Sequence, residues 1–278
     1  MGEKMDWKTL KDIPPWEWPE DAASLFLTVL RDNRAGESDR LLAAELAGDF
    51  TVINDELVDA LLSILRSADA SAELRGQAAI SLGPVLEHAD TFEFADPDEV
   101  PITEQTFHRI RDSLCQLYAD AGVPKAVRRS ILEAAVRSPQ EWHERAVRAA
   151  YASDDEAWRL TAVFCMQFVR GFDDQILGAL GSDNPDIHYH AVCAAGTWGV
   201  DAAWSHIAAL VSSTDTDKPL RLAAIEAVAV IRPQEAAELL ADLTASDDED
   251  IAEAADEALT MAAALPDDDD EEDDEFRH

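Results

Sequence analysis

The stretch KPLRLAAIEAVAVI, residues 218–231, decides the fold of this chain. Apolar side chains recur along it at steps of three and four residues, which is typical of a helix with one wide buried face. Those positions are Leu220, Ala223, Ala224, Ala227, Val228 and Ile231. Because alanine occupies half of them, a second helix can approach closely. The sequence therefore predicts helices packed on helices.

The same pattern recurs along the chain. One register position is occupied by Arg40, Arg75, Arg128, Arg159, His188, Arg221 and Ala252. Three residues after each of these stands a small or aliphatic residue: Ala43, Ala78, Ile131, Ala162, Ala191, Ala224 and Ala255. The register positions lie 29 to 35 residues apart, with one longer interval of 53. A period near thirty residues with two helices in each unit indicates a repeat array.

Turn-forming residues divide the chain into seven helical pairs, because Asp and Asn cap helix starts and proline fits the first helical turn. The predicted pairs are 20–31 with 38–48, 55–66 with 71–87, 103–120 with 125–137, 140–151 with 155–170, 173–181 with 185–198, 201–212 with 218–231, and 234–245 with 249–264.

Three further segments complete the predicted organisation around a repeat domain of residues 20–266. Residues 1–19 form a Trp/Pro-rich N-terminal arm or cap, in which Trp16 and Trp18 offer apolar area to cover the first helical pair. An acidic loop insertion falls at about 88–101 and accounts for the long interval. Residues 267–278 carry nine acids and are expected to be a disordered acidic tail.

Three segments carry a family resemblance: AELRGQAAISLG (72–83), KPLRLAAIEAVAV (218–230) and DEDIAEAADEAL (248–259). They resemble HEAT repeats, especially the short bacterial kind found in phycobilin lyase subunits. The resemblance implies an all-α fold, a right-handed α-solenoid (superhelix) of about seven helical hairpins. It also implies that the register residues Arg40, Arg75, Arg128, Arg159, His188 and Arg221 form an internal structural ladder, pairing with aspartates or helix carbonyls.

The charge of the chain narrows the classes of partner. With 58 acidic and 22 basic residues the net charge is −36, so nucleic acid and anionic membranes are not expected partners. No run of about 18 apolar residues could span a bilayer. We expect a cytoplasmic protein that is a monomer. Adaptation to high salt and an acidic surface for a basic partner both remain open explanations of the charge.

Signals for catalysis or metal binding are weak. The sequence lacks a Gly-rich phosphate loop, a G-x-S-x-G elbow and an H-E-x-x-H motif, so no catalytic residue, cofactor or metal is predicted. His188 and His190 point about 200° apart on a helix and cannot hold one metal ion together. His190 and Cys193 share a face, but zinc needs at least three ligands. We therefore expect these residues to pack in the core and to line the groove rather than to bind a metal ion.

The central third offers the candidate binding residues. Residues 103–170 carry ten basic and nine acidic side chains, whereas the flanking segments are strongly acidic. Arginine and tryptophan are common at interface hot spots. If second helices line a concave face, as the resemblance implies, that face presents Arg129, Trp158, His190 and Trp198.

The predicted function is a non-catalytic scaffold or adaptor that binds a protein partner on the concave face. Acidic flanks would speed capture of a basic partner. Two alternatives remain open at this point: an enzyme subunit of the phycobilin lyase type, and an acidic inhibitor that mimics nucleic acid and blocks a cationic protein through the tail.

Overall fold

The structure is a computed structural model that describes residues 7–94 and 99–264. Over those ranges the chain forms α-helices joined by short turns and 3₁₀ segments, with no strand, which confirms the predicted all-α class. The predicted acidic tail, residues 267–278, lies outside the described residues. So do residues 95–98 of the predicted acidic loop.

The helices match the predicted pairs closely. The first eight are α1 (Ala22–Arg31), α2 (Glu37–Ala47), α3 (Asp55–Arg66), α4 (Ala72–Ile80), α5 (Gly83–Phe92), α6 (Glu104–Ala119), α7 (Lys125–Ala135) and α8 (Glu141–Tyr151). The others are α9 (Glu156–Cys165), α10 (Asp173–Leu180), α11 (Pro185–Thr197), α12 (Trp204–Ser212), α13 (Lys218–Ile231), α14 (Pro233–Leu240) and α15 (Glu249–Ala264).

The chain divides into two compact units, Met1–Ala146 and Val147–His278, and the boundary falls inside α8. In the first unit α1 pairs with α2, α3 with α4, and α6 with α7. The second helices of these pairs, α2, α4 and α7, pack side by side in that order, and so do the first helices α1, α3 and α6. The unit is therefore built of two helical layers.

The second unit repeats this arrangement. Here α10 pairs with α11, α12 with α13, and α14 with α15. The helices α9, α11, α13 and α15 pack successively, so α11 and α13 are each covered on both sides by neighbouring second helices. Stretch 218–231 is α13, in the middle of this layer, and Ala224, Ile225, Val228 and Ala229 on it are fully buried. The small residues predicted to allow close packing thus lie in the core.

The prediction of one helix over 71–87 was wrong. The chain forms two helices there, α4 ending at Ile80 and α5 beginning at Gly83. Pro84 has no N–H for the bond to the carbonyl four residues earlier, and its ring clashes with that turn. A helix can begin at this point but cannot pass through it, and proline accordingly occupies the first turn of α5.

Other helix boundaries also differ from the prediction. The helix α5 continues to Phe92, and the ring of His88 stacks on that of Phe92 one turn later, with ring centroids 4.2 Å apart. The connection to α6 therefore begins at Glu93 rather than near residue 88. The helix predicted over 155–170 ends at Cys165, and turns lead to Gly171, whose φ of 87° lies in the left-handed region that favours glycine.

From residue 7 onward the N-terminal segment forms two 3₁₀ turns, Trp7–Asp12 and Pro15–Glu17. The rings of Trp7 and Trp18 contact the edge of Phe26 on α1, with centroids 6.3 Å and 5.4 Å away. The indole nitrogen of Trp18 donates hydrogen bonds to the carbonyl oxygens of Leu10 and Ile13. These contacts hold the segment against α1, whereas Trp16 remains 79% exposed.

Candidate functional site

A partly exposed surface with aromatic and apolar character lies on the second helices of the second unit. We call it the second-helix face. It consists of Phe164 on α9, Tyr189, His190, Cys193 and Thr197 on α11, Glu226 and Val230 on α13, and Met261 on α15.

The sequence of α11 explains why these side chains reach the surface. Ile187, Ala191, Ala194 and Ala195 are buried, and they occupy one side of the helix at steps of three and four residues. Residues at the intervening positions, including Tyr189, are left on the opposite side. The α11 helix therefore buries a small-residue side and presents a polar and aromatic side.

Part of the second-helix face forms a shallow cleft between α11, α13 and α15. It encloses about 240 Å³, and its walls include Cys193, Thr197, Glu226, Val230 and Met261. Met261 is 38% exposed, one of the few large apolar side chains with so much exposure. A flexible thioether of this kind adapts to varied partner shapes. The cleft can thus receive an apolar side chain beside a carboxylate.

The electrostatics of the cleft argue against nucleophilic chemistry. Burial raises the pKa of the Cys193 thiol, and the carboxylate of Glu226 acts in the same direction. The thiol is also hydrogen-bonded to the Tyr189 side chain, and the pKa of that tyrosine is raised mainly by Cys193 and then by burial. Because only the thiolate is strongly nucleophilic, Cys193 is not activated at neutral pH.

His190 is held in place at the edge of the second-helix face. Its Nδ1 lies 3.2 Å from the side-chain nitrogen of Gln167, and its ring meets that of Phe164 edge to face at 5.3 Å. Burial lowers the pKa of His190, although Asp186 opposes the shift. The imidazole is therefore neutral at pH 7 and contributes contact area and hydrogen bonding rather than charge.

Trp198 connects two repeats of the second unit. Its indole nitrogen donates a 2.5 Å hydrogen bond to the carbonyl oxygen of Met166, at the end of α9. The guanidinium of Arg170 lies over its ring at 4.7 Å from the centroid. Trp198 and His190 thus both contact the C-terminal end of α9, while Trp158 lies near the start of that helix, about 12 Å away along the axis.

Arg129, the fourth predicted binding residue, lies on α7 in the first unit. Its guanidinium is 3.8 Å from the carboxylate of Glu133, one turn along the helix. Burial raises the pKa of Glu133, and the charges of Arg129 and Arg137 oppose that shift. Arg129 therefore compensates a partly buried carboxylate in its own unit.

Three of the predicted ladder arginines share one geometry. Arg40, Arg75 and Arg221 each donate to the carbonyl oxygen ten residues earlier, at Leu30, Leu65 and Val211, with distances of 3.4, 2.9 and 3.0 Å. Each acceptor is the next-to-last residue of the first helix of the same hairpin, where carbonyls lack an intrahelical partner. The C-terminal end of a helix carries a partial negative charge, so the positive charge of the arginine also interacts favourably with the helix dipole.

The other ladder positions depart from that geometry. His188 on α11 faces His206 on α12, with the two Nε2 atoms 2.9 Å apart, so it links the two helices as one donor and one acceptor. Burial, and secondarily the nearby His206, lowers the pKa of His188. Arg159 is exposed, and the Nε of Arg128 is buried without a hydrogen-bond partner among residues 7–94 and 99–264.

Residues 174–260 match the family model described as HEAT repeats. This segment carries HEAT repeats. This match lies in the second unit, and with the two-layer helical stacking it confirms the predicted α-solenoid class. The narrower resemblance to phycobilin lyase subunits stays a prediction.

Several solved structures are similar to this chain. The Escherichia coli protein YibA matches over 96% of this chain and 94% of its own, with 14% identity and a TM-score of 0.50. Human deoxyhypusine hydroxylase matches over 90% and 88%, with 15% identity and a TM-score of 0.41. A designed armadillo repeat protein matches over 86% and 98%, with 14% identity and a TM-score of 0.35. No curated protein sequence matches the chain significantly.

The likeness to YibA concerns the fold alone.

Within residues 7–94 and 99–264 no group of three or more His, Cys, Asp or Glu side chains is placed to hold a metal ion. In the same part of the chain, no helix is both long and apolar enough to cross a membrane. Among the three cysteines, Cys165 is buried, whereas Cys115 and Cys193 are partly exposed.

Sequence reasoning missed most of the second-helix face of these HEAT repeats. Tyr189, Cys193 and Thr197 recur at four-residue steps, a signal that marks one helical face, but their neighbours Glu226, Val230 and Met261 come from other helices. It also missed an exposed aromatic group in the first unit. There the ring of His88 lies 4.2 Å from both Phe50 and Phe92.

Proposed function

We propose that this HEAT-repeat protein is a non-catalytic scaffold or adaptor that binds a protein partner on the second-helix face of residues 156–264. The observation that carries the proposal is the cleft at Cys193, Glu226 and Met261, flanked by Tyr189 and His190, on the layer of second helices. Repeat arrays use extended surfaces of this kind for binding.

The composition of this face supports protein binding more than small-molecule binding. Tyrosine and methionine are enriched at protein interfaces, where they supply adaptable contact area. A volume of about 240 Å³ is at the small end for a ligand pocket, but it suits one inserted side chain. The unactivated thiol of Cys193 gives no support to an enzyme mechanism.

The charges favour a basic side chain in the partner. Glu226 forms one wall of the cleft and is exposed, and the chain as a whole carries a net charge of −36. An acidic surface accelerates encounter with a basic partner, and salt weakens that effect. We therefore propose a partner that inserts an apolar side chain beside a Lys or Arg.

The four residues predicted from the sequence enter this proposal differently. His190 borders the proposed surface, and Trp198 supports it by connecting α11 to the end of α9. Trp158 would extend the surface along α9. Arg129 belongs to the first unit, so a role in binding would be separate from this face.

The test is site-specific photocrosslinking in cells that express the protein. A benzophenone amino acid replaces Met261 in the cleft, and a matched control places it at Glu238, which is exposed on the first helix α14. We expect one discrete adduct from position 261 and none from 238. The adduct should weaken when Glu226→Lys is added, whereas Glu238→Lys should leave it unchanged.

Three results would count against the proposal. Equal crosslinking from positions 261 and 238 would show that the face has no specific partner. Visible absorbance acquired by binding a tetrapyrrole would favour the lyase-type alternative. Loss of the adduct on deletion of residues 267–278, with no effect of Glu226→Lys, would favour the acidic inhibitor instead.

A further inference from the structure

A cavity in the first unit lies between its first two helical hairpins. It has a volume of about 660 Å³ and lies beside the C-terminal ends of α1 and α3. The hairpin of α1 and α2 contributes two arginines to its wall, Arg31 and Arg40, whereas the hairpin of α3 and α4 contributes two aspartates, Asp59 and Asp69. Each hairpin therefore supplies charge of one sign.

These opposite charges line one cavity without pairing across it. Among the residues that the structure describes, no side-chain nitrogen of Arg31 or Arg40 lies within 4.0 Å of a carboxylate oxygen. Asp69 has no cationic partner in that part of the chain either. Because the chain carries 58 acidic and 22 basic residues, two arginines in one cavity without a carboxylate partner are unusual. The cavity leaves room for a ligand between the two sets of charges.

Arg40 is bound to its helix carbonyl less closely than the equivalent arginines of other hairpins. Arg75 and Arg221 donate through Nε at 2.9 and 3.0 Å. Arg40 instead reaches the carbonyl oxygen of Leu30 through Nη2 at 3.4 Å, which is long for a hydrogen bond. Arg40 is also partly exposed, whereas Arg75 is buried. The side chain of Arg40 therefore lies at the cavity wall with terminal N–H donors that this one contact does not use.

The two aspartates differ in how their charges are compensated. Nη2 of Arg109 on α6 lies 2.8 Å from the carboxylate of Asp59, so the unit itself neutralises that group. Asp69, in the turn after α3, is exposed, and the carbonyl groups at the end of α3 add a partial negative charge nearby. At the end of α1 the two full charges of Arg31 and Arg40 outweigh the corresponding partial charge. An anion is therefore favoured beside the arginines and a cation beside Asp69.

Apolar side chains form the floor of the cavity. Leu30 on α1 and Ala60 and Ile64 on α3 line it and are buried. A hydrocarbon chain placed on this floor would displace water from apolar surface, which is favourable. The volume also falls within the range of about 300–1,000 Å³ that is typical of ligand sites.

We propose that this cavity binds a zwitterion, a molecule in which a short apolar chain joins a carboxylate to an ammonium group. Arg31 and Arg40 bind the carboxylate, because guanidinium N–H groups match its oxygens. Asp69 binds the ammonium group, and the apolar floor contacts the chain. A ligand with one sign of charge is disfavoured, since it meets like charges on one of the walls. The site belongs to the first unit and does not depend on the second-helix face.

This chemistry can come from a free small molecule or from a protein segment with one acidic and one basic side chain. The first probe is 6-aminohexanoate, and its controls are hexanoate, which lacks the ammonium group, and hexylamine, which lacks the carboxylate. The second probe is the peptide acetyl-Glu-Leu-Lys-amide, and its controls carry glutamine in place of the glutamate or the lysine.

Binding to the whole ¹⁵N-labelled protein is followed by the side-chain signals of Arg31, Asn33 and Arg40, all of which line the cavity. Because the charges at the cavity are exposed or partly exposed, we expect dissociation constants of about a millimolar. At least one zwitterionic probe should bind about threefold more tightly than each of its singly charged controls.

Variants test each wall of the cavity. Arg31→Gln and Asp69→Asn should each weaken binding of the effective zwitterion about threefold, because each removes one exposed charge partner. Asp69→Asn should also remove most of the advantage of the zwitterion over its control without the ammonium group. The matched controls are Arg34→Gln, in the turn after α1, and Glu73→Gln, in the first turn of α4. Both change exposed charges that are not part of the cavity wall, and they should leave binding unchanged.

The outcomes separate the two sources. Binding of 6-aminohexanoate alone identifies a small molecule, and binding of the peptide alone identifies a protein segment; both support the site. Singly charged controls that bind as tightly as the zwitterion would overturn the proposal. So would equal weakening by Arg34→Gln and Arg31→Gln, or no shift with either probe at tens of millimolar. Arg31 and Asp69 are exposed, so both variants should fold, and circular dichroism verifies this.

Discussion

Gly196 on α11 lies so close to α13 that a Cβ atom on it would stand 2.8 Å from the Cα of Ala227. Backbone atoms cannot give way as a flexible side chain can, so the two helices approach at a distance that only glycine permits here. The close packing of α11 on α13 therefore requires glycine at position 196.

Gly196→Ala is accordingly expected to destabilise the protein by about 1–3 kcal/mol, because the helices must move apart. Urea unfolding followed by circular dichroism measures the change. The control is Gly181→Ala, where the nearest atom to the added Cβ is 3.8 Å away and φ is −88°. Equal stability of Gly196→Ala and the wild type would contradict the close approach.

Arg75→Ala is expected to cost about 1–3 kcal/mol of unfolding free energy. The guanidinium is buried, and its removal leaves the carbonyl of Leu65 without its hydrogen-bond donor. Arg159→Ala changes an arginine at the same register position that is exposed, and it should cost less than about 0.5 kcal/mol. Similar losses from both substitutions would show that burial and the carbonyl bond do not decide the effect.

Stability should fall as the pH drops from about 6.5 toward 4 through the titration of His143. Burial lowers the pKa of His143 from 6.5 to about 4, so in this window the unfolded chain binds a proton that the folded chain does not. The expected contribution between pH 7 and pH 5 is about 2 kcal/mol. Chemical unfolding at the two pH values measures it.

His143→Gln is the matched variant for that measurement, since glutamine at this position can still accept from the N–H of Gln140. Burial also lowers the pKa values of His188 and His190, so they add pH dependence of the same sign in both proteins. The difference between wild type and variant isolates His143. Identical pH dependence in the two would show that its buried neutral state contributes nothing.

Trp198→Phe is expected to lower the unfolding free energy by about 1–2 kcal/mol. The substitution keeps a ring under Arg170 but removes the N–H that bonds to the carbonyl of Met166. Trp158→Phe serves as the control, with an expected loss below about 1 kcal/mol. If Trp198→Phe left the unfolding free energy unchanged, the hydrogen bond from Trp198 to the end of α9 would contribute nothing to stability.

This role of Trp198 also bears on binding experiments. A large truncation at Trp198 would reduce stability and binding together, so it cannot separate the two. Substitutions at Glu226 and Met261, which are exposed, change the proposed surface without removing a core contact. They are the better positions for testing partner binding.

The sequence by itself determined the helical class and most helix positions. In stretch 218–231 apolar residues recur with the helical period. Along the chain, Asp, Asn and Pro mark the ends of the helices. Both signals are local in sequence. The break at Pro84 could also have been read from the sequence, because a proline excludes the backbone bond of its own turn. HEAT repeats were recognisable since their pattern is short and periodic.

Only the tertiary structure decided which side chains meet. Arg75 and Arg159 occupy the same register, yet one is buried against a carbonyl and the other is exposed. Gln140 and His143 form an ordinary helix start in sequence, yet in the part of the chain that the structure describes each has a buried side-chain nitrogen without a hydrogen-bond partner. The reason is physical: helical periodicity is a property of neighbouring residues, whereas burial and hydrogen-bond satisfaction depend on distant parts of the chain.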